Sequence, residues 1–187
     1  MKTLSVNEIA TAVNGELFPS PAFQNFEVRE IITDSRTYFG GSQVAYFALT
    51  GPVFDGHNFI APLHKKGVEV FIVSNKNCID TNASYILVSN TQLALQKLAA
   101  FNRKQFSYPV IGITGSNGKT IVKEWLYDLL STQINIVRSP KSYNSQVGVP
   151  LSALLLDEKY DLAILEAGIS MRGEMEKLAS IVQPDIG

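Results

Sequence analysis

The sequence predicts an α/β protein arranged as two consecutive units, and three observations carry that prediction. Short apolar, β-branched runs alternate with helical patterns along the chain, the order that builds a sheet covered by helices. The stretch 109–120, PVIGITGSNGKT, runs from an apolar strand at 110–113 through a glycine-rich turn into a helix, the layout of a phosphate-binding loop. Pro109 sets the boundary, because the residue before a proline avoids helix. The expected division is 1–107 and 108–187.

In the first unit, Ser5-Val6-Asn7-Glu8 has capping-box spacing, with Ser5 as N-cap and Glu8 reaching back. Ile9, Ala10 and Val13 continue that helix and Gly15 can end it. Residues 28–33 read as a strand, followed by Asp34-Ser35-Arg36 and a turn at 38–42 with paired glycines. A second strand spans 44–49. Asp55-Gly56-His57 is a loop opening a helix whose apolar face is Phe59, Ile60 and Leu63 and whose stop is Gly67. Strands follow at 68–73 and 85–88. Ser89 and Gln92 have capping-box spacing for a helix through Leu93, Leu95, Leu98, Ala99 and Phe101.

In the second unit, the helix after the glycine-rich turn carries Ile121, Val122, Trp125, Leu126, Leu129 and Leu130 as one stripe, expected to face the core with Trp125 included. A strand at 134–137, a polar loop at 140–150 and a helix near 151–156 come next. A third strand, 162–165, ends at Glu166, and a helix through Met175, Leu178 and Ile181 follows. Residues 182–187 read as the lead-in to another strand. Three strands make a small sheet for a parallel nucleotide-binding domain, so the expectation is a truncated domain with an open edge, through which the chain could self-associate.

Composition narrows the function classes. The 187 residues are 45% hydrophobic and 18% charged, enough for a proper core. The net charge of −1 offers no basic surplus for nucleic acid. A single cysteine, Cys78, cannot form an internal disulfide and fits a reducing compartment. No apolar run has the length of a membrane span and no signal-peptide core follows Met1. A cytoplasmic protein without membrane insertion is expected.

The phosphate loop supplies the chemistry. Backbone N–H groups of 114–118 (Thr114, Gly115, Ser116, Asn117, Gly118) can cradle a polyphosphate, the Lys119 ammonium neutralises its charge, and the Thr120 hydroxyl reaches a magnesium ion. The general pattern G-x-x-x-x-G-K-[ST] would place a glycine where Ile113 stands. The competing reading is an ordinary strand–turn–helix whose glycines only make the turn; Lys119-Thr120 directly after Gly118 weighs against it. Glu166, at the carboxyl end of a parallel strand, is where such sheets bind ligands, and its carboxylate suits the same magnesium. A solvated loop glutamate is the alternative.

Taken together these motifs resemble the Mur ligases, over essentially the whole chain. ITGSNGKT is similar to that family's own loop, whose glycine spacing is shorter than the general pattern, which accounts for Ile113. Asp34-Ser35-Arg36, YFALTG at 46–51 and DGHNFI at 55–60 resemble the family's UDP-sugar-binding domain. SYNSQVGVPLSALL at 142–155 and LEAGISMRGEMEKLASIVQPDIG at 165–187 resemble the member that adds a dipeptide, and not its neighbour that adds the third amino acid. Two positions depart from the pattern: Ser145 stands where a second asparagine is common, and Ile121 where a second threonine is common.

The resemblance implies a fold of a small mixed α/β UDP-sugar domain followed by an incomplete P-loop parallel-sheet ATPase domain. It implies ATP-dependent amide formation in peptidoglycan precursor synthesis, with ATP and Mg2+ as cofactors. The substrates would be UDP-N-acetylmuramoyl-tripeptide and D-alanyl-D-alanine, joined through an acyl phosphate. Lys119 would hold the β- and γ-phosphates, Thr120 and Glu166 the magnesium, and Asn144 would orient the γ-phosphate or acyl phosphate. Ser35 and Arg36 would contact the uridine diphosphate, and Asp55 and His57 would shape or line its pocket. His57 could equally cap or bridge loops, and Arg36 could be a structural ion pair. The family's metal-site histidine, modified lysine and third domain have no counterpart here, so the chain alone is expected to be inactive. A non-catalytic nucleotide-binding regulatory module is the rival from another class.

Overall fold

The computed structural model describes residues 1–21, 26–169, 171 and 173–187. The chain divides into two compact units, Thr3–Leu95 and Gln96–Gly187 with Met1–Lys2.

The first unit opens with β1 (Leu4–Ser5) and α1 (Val6–Val13). The capping box forms as expected: the Ser5 hydroxyl accepts from Glu8 N–H at 3.2 Å and the Glu8 carboxylate accepts from Ser5 N–H at 2.8 Å. Val6, Ile9, Ala10 and Val13 are the buried face. Asn14, not Gly15, is the left-handed residue that ends the helix (φ 55°), a conformation asparagine tolerates better than most side chains. Gly15 is required for a different reason, since a Cβ there would lie 2.4 Å from the Ile86 side chain.

β2 (Glu16–Phe18), β3 (Glu27–Val28), β4 (Glu30–Ile32), β5 (Val44–Phe47), β6 (Val70–Val73) and β7 (Ser84–Leu87) follow. The expected strand at 28–33 is in fact two. β3 pairs antiparallel with β1, whereas β4 pairs in parallel with β5. The break lies at Arg29, where Arg29 N–H and Glu30 N–H both donate to Gln43 O, at 2.8 and 3.2 Å. A five-stranded sheet results, in the order β2-β7-β6-β5-β4, parallel except for β2 at one edge. β5 and β6 are buried at every position, which is why they read as unbroken apolar runs. Phe71 stacks on Tyr85 and meets Tyr46 edge-to-face in this core, which also holds Leu63 of α2 (Ile60–Lys65).

α3 (Thr91–Arg103) is capped by Asn90, whose Oδ1 accepts from Leu93 N–H at 2.8 Å, and not by Ser89 one position earlier. The division between the units falls inside α3, upstream of Tyr108. The later part of α3 carries side chains that bond within the second unit. Asn102 donates to Ala153 O at 3.0 Å, and Arg103 donates to Val182 O at 3.0 Å and to Asp185 at 3.1 Å.

The second unit holds β8 (Val110–Ile113), α4 (Lys119–Leu130), β9 (Ile136–Arg138), α5 (Gly148–Ala153), β10 (Leu162–Glu166) and α6 (Glu174–Val182). The strands lie in the order β8-β10-β9, all parallel. The expected strand lead-in at the end of the chain is engaged: Ile186 pairs in parallel beside β8, accepting from Gly112 N–H at 2.8 Å. The α4 stripe differs from expectation. Leu126 and Leu130 pack on the sheet, but Trp125 is 67% exposed and Leu129 70%, with Ile121 and Val122 also exposed. The apolar residues cover a wider arc of the helix than the sheet can, and the inward turn between Thr120 and Leu126 is taken by Lys123, which is fully buried. No helix among the described residues is long and apolar enough to cross a membrane.

Candidate functional site

β8 ends at Ile113, and the chain turns through 114–118 into α4. Gly115 (φ 140°) and Gly118 (φ 80°) occupy backbone conformations that a side chain would strain. Gly118 is the N-cap of α4 without a side-chain cap bond, and nothing lies within 4 Å of where its Cβ would be. The turn is therefore open at the helix end where N–H dipoles converge. Thr114, Ser116 and Asn117 are exposed along it. Lys119 folds back over the turn, its ammonium 2.6 Å from Gly115 O.

Glu166 closes the site from the neighbouring strand. It is the last residue of β10, directly opposite Ile113 in the register, and is 1% exposed. This excludes a solvated loop glutamate. Thr120 Oγ1 donates to Glu166 Oε2 at 2.9 Å, and Asn144 Nδ2 donates to Oε1 at 2.7 Å. Glu166 N–H donates to Ser139 Oγ at 3.0 Å, and Ser142 Oγ lies 3.4 Å from Thr120 Oγ1. Thus Lys119, Thr120, Asn144 and Glu166 come together. Ser139, Ser142 and Lys123 join them without having been singled out. Lys123 carried a signal, since it sits three residues after Thr120 on the same helical face.

A cleft of about 360 Å³ opens beside these groups, lined by Lys119, Asn144, Ser145, Gln146, Gly168 and Ile169. Gly168 N–H donates to Asn144 O at 2.8 Å, and a Cβ at Gly168 would press on the Asn144 amide at 3.0 Å. Ser145 accepts from Gly148 N–H at 3.1 Å at the start of α5. The departure from asparagine there keeps a side-chain acceptor for that turn. In the stretch 165–187, Ser170 and Arg172 lie outside the described residues.

In the first unit, parallel pairing brings the loops after β4, β5 and β6 to one edge of the sheet. Each contains a tight helical turn opened by an Asp or Asn whose side chain accepts an N–H two residues on: Asp34, Asp55 and Asn75. Ser35 begins the first of these turns. Arg36 grips Asp34 with Nε and Nη2 at 3.0 and 2.7 Å, yet its side chain is 87% exposed. That guanidinium holds the Asp34 carboxyl below its ordinary value. Gly56 is buried, and a Cβ there would meet Leu49 backbone atoms at 2.6 Å. Tyr46 OH donates to Gly56 O at 3.1 Å; burial, then Asp34 and Asp55, push its phenol up to about 12.

The His57 side chain is 6% exposed, with Nδ1 2.6 Å from Asp55 Oδ1 and Nε2 accepting from Ser74 N–H at 3.0 Å. Because Nε2 accepts, the ring proton is on Nδ1 and points at Asp55. Both nitrogens are engaged by protein groups, so His57 bridges two of the loops. The His57 backbone and then side chain hold the Asp55 carboxyl below its ordinary value. Cys78, in the third loop, is a free thiol bonded to Asn75 O.

Residues 113–187 match the Mur ligase middle domain. The UDP-N-acetylmuramoyl-tripeptide–D-alanyl-D-alanine ligase of Bacillus subtilis is 33% identical over 97% of this chain and 39% of its own length. A crystal structure of MurF from Acinetobacter baumannii aligns with 98% of this chain and 40% of that one, with a TM-score of 0.87 and 34% identity. The MurF ligase of Thermotoga maritima, solved in complex with ADP, aligns with 84% of this chain at a TM-score of 0.74 and 32% identity. The chain spans about two fifths of the length of these relatives. The middle-domain match starts at the last residue of β8 and takes in the phosphate loop, Asn144 and Glu166, while the similarity to the MurF ligases extends through both units.

Proposed function

We propose that this chain forms the UDP-substrate-binding part and the phosphate-binding part of an ATP-dependent ligase. That ligase joins D-alanyl-D-alanine to UDP-N-acetylmuramoyl-tripeptide in cytoplasmic peptidoglycan precursor synthesis. The observation that carries the reading is the convergence of Thr120 and Asn144 on the buried Glu166 carboxylate beside an open, glycine-lined helix start. A relative of similar fold was solved with ADP, which supports nucleotide as the ligand of this turn.

In this reading, residues 1–107 hold the UDP-sugar and residues 108–187 begin the ATP-binding domain. The residues fit a magnesium ion by donor type, because a carboxylate and a hydroxyl oxygen 2.9 Å apart suit a hard cation. No group of three or more His, Cys, Asp or Glu side chains converges among the described residues, so phosphate oxygens and water would complete the shell. Bound there, magnesium would neutralise phosphate charge during phosphoryl transfer to the peptide carboxylate. Lys119 swings from Gly115 O to the β- and γ-phosphates, and the α4 N–H groups hold the same anion. Asn144 donates to the γ-phosphate or the acyl phosphate from the opposite side. The D-alanyl-D-alanine amine then attacks the acyl carbon and phosphate leaves. In the first unit, Ser35 and Arg36 meet the uridine diphosphate at the sheet edge, while Asp55 and His57 shape that edge.

Calorimetric titration with UDP-N-acetylmuramoyl-tripeptide, and separately with magnesium ADP, tests this. Binding of the UDP-peptide that is lost in Arg36→Ala supports the first-unit assignment. Nucleotide binding without any response to UDP-sugars would move the chain to the class of regulatory nucleotide-binding modules.

A further inference from the structure

Lys123 has no part in the reading above, although it is the most enclosed charge on α4: its side chain is 0% exposed. The ammonium donates to Ser139 O at 2.8 Å and to Lys141 O, pairs with Glu124 Oε1 at 3.1 Å, and lies 3.7 Å from Glu166 Oε2. A buried ammonium is tolerated when its protons find acceptors, and here two carbonyls and a carboxylate provide them. Glu124 is itself held from outside. Arg138 Nε lies 2.9 Å from its other oxygen, and the Arg138 guanidinium sits 3.3 Å over the Tyr127 ring.

The two carbonyls belong to the turn that leaves β9 and leads to Ser142 and Asn144. Ser139 is held twice, its carbonyl by Lys123 and its hydroxyl by the Glu166 N–H. One side chain on the phosphate-loop helix thus ties together the turn that carries Asn144 and the carboxylate that Asn144 and Thr120 share. An apolar residue of the same length would leave Ser139 O and Lys141 O without this donor, and would leave Glu166 without a compensating charge.

We infer that Lys123 is a positioning residue. Through Ser139 and Lys141 it fixes the turn that presents Asn144, and through its charge it holds the Glu166 carboxylate where Thr120 and a divalent cation meet it. The inference rests on the magnesium-nucleotide reading of the site.

The test compares the unmodified chain, Lys123→Met, Glu166→Gln and the double variant by titration with ADP at graded magnesium, with thermal unfolding of each. Lys123→Met should weaken magnesium-ADP binding about tenfold while magnesium-free ADP binding changes less than about twofold. In the Glu166→Gln background it should cause no further loss of the magnesium-dependent part of binding, because the Lys123 charge acts on the cation through Glu166. Lys123→Arg, which keeps the charge, should lie closer to the unmodified chain than Lys123→Met. Equal losses with and without magnesium, or losses in the double variant that simply multiply, would overturn the inference. Hydrogen exchange at 139–146 gives a readout that needs no nucleotide: Lys123→Met should lose protection there, and unchanged protection would overturn the inference. If the unmodified chain binds no ADP while protection at 139–146 falls in Lys123→Met, the nucleotide reading has failed and the tether stands.

Discussion

Thr120 Oγ1 and Glu166 Oε2 lie 2.9 Å apart although 46 residues separate them in sequence. Parallel pairing of β10 with β8 creates this contact, because it sets Glu166 opposite the last residue before the phosphate loop. Replacing Glu166 by Gln should keep the fold, since an amide oxygen still accepts from Thr120, at a cost of about 1–2 kcal/mol for the donor now facing Asn144. Magnesium-dependent ADP binding should fall at least about tenfold. Calorimetry at fixed ADP and graded magnesium reads both.

Lys119→Ala separates nucleotide binding from a mere turn. Lys119 is half-buried and bonds to Gly115 O, so the melting temperature should barely move. ADP affinity should drop about ten- to a hundredfold, the usual worth of a charge-assisted phosphate contact. An unchanged affinity would return the glycines to a purely architectural role.

The phosphate loop and the end of β10 were legible because both are local patterns: an apolar strand broken by glycines, and a carboxylate just past four apolar residues. The contacts of Ser139 and Asn144 with Glu166 were not, because these residues reach it only once β9 has taken its place beside β10. α4 was legible as a helix but not in its rotation. Its apolar residues cover too wide an arc for periodicity to decide which side meets the sheet, and the buried Lys123 decides it. The strand expected at 28–33 read as continuous because β-branched composition does not reveal a change of partner at Arg29.

Gly56→Ala should destabilise the first unit by about 1–3 kcal/mol, because the new methyl meets backbone at 2.6 Å rather than a movable side chain. The same change at Gly118 has room, and its cost should come from the left-handed backbone alone, about 1 kcal/mol. Chemical denaturation of the two variants distinguishes a collision from a conformational penalty.

Acid should loosen the loops that follow β4 and β5. Asp34 and Asp55 have carboxyls held below their ordinary value in the folded chain. Their stabilisation is therefore complete above the unfolded value, about pH 4, and is lost as the pH falls through the lower folded value. Stability followed from pH 6 to pH 2 should decline below about pH 4, and Asp55→Asn should flatten that decline. A profile unchanged by Asp55→Asn would mean that other carboxylates set it.

Trp125 is the single tryptophan, and it is 67% exposed on α4. Its emission should be red-shifted and readily quenched by acrylamide, and Trp125→Ala should alter stability by less than about 0.5 kcal/mol. Blue-shifted, protected emission would show that this face of the helix is covered in solution.

The strand order β8-β10-β9 also bears on synthesis. β8 and β9 never pair with each other; each pairs with β10. The first unit draws its sheet partners from within Thr3–Leu95 and can close as soon as that stretch has left the ribosome. The phosphate loop emerges with β8 but has no strand to lean on until Leu162–Glu166 appears. The nascent chain therefore carries a finished first unit while its glycine-rich loop is still unsupported, and Glu166, which bonds to Thr120 behind that loop, arrives in the same strand that supports it.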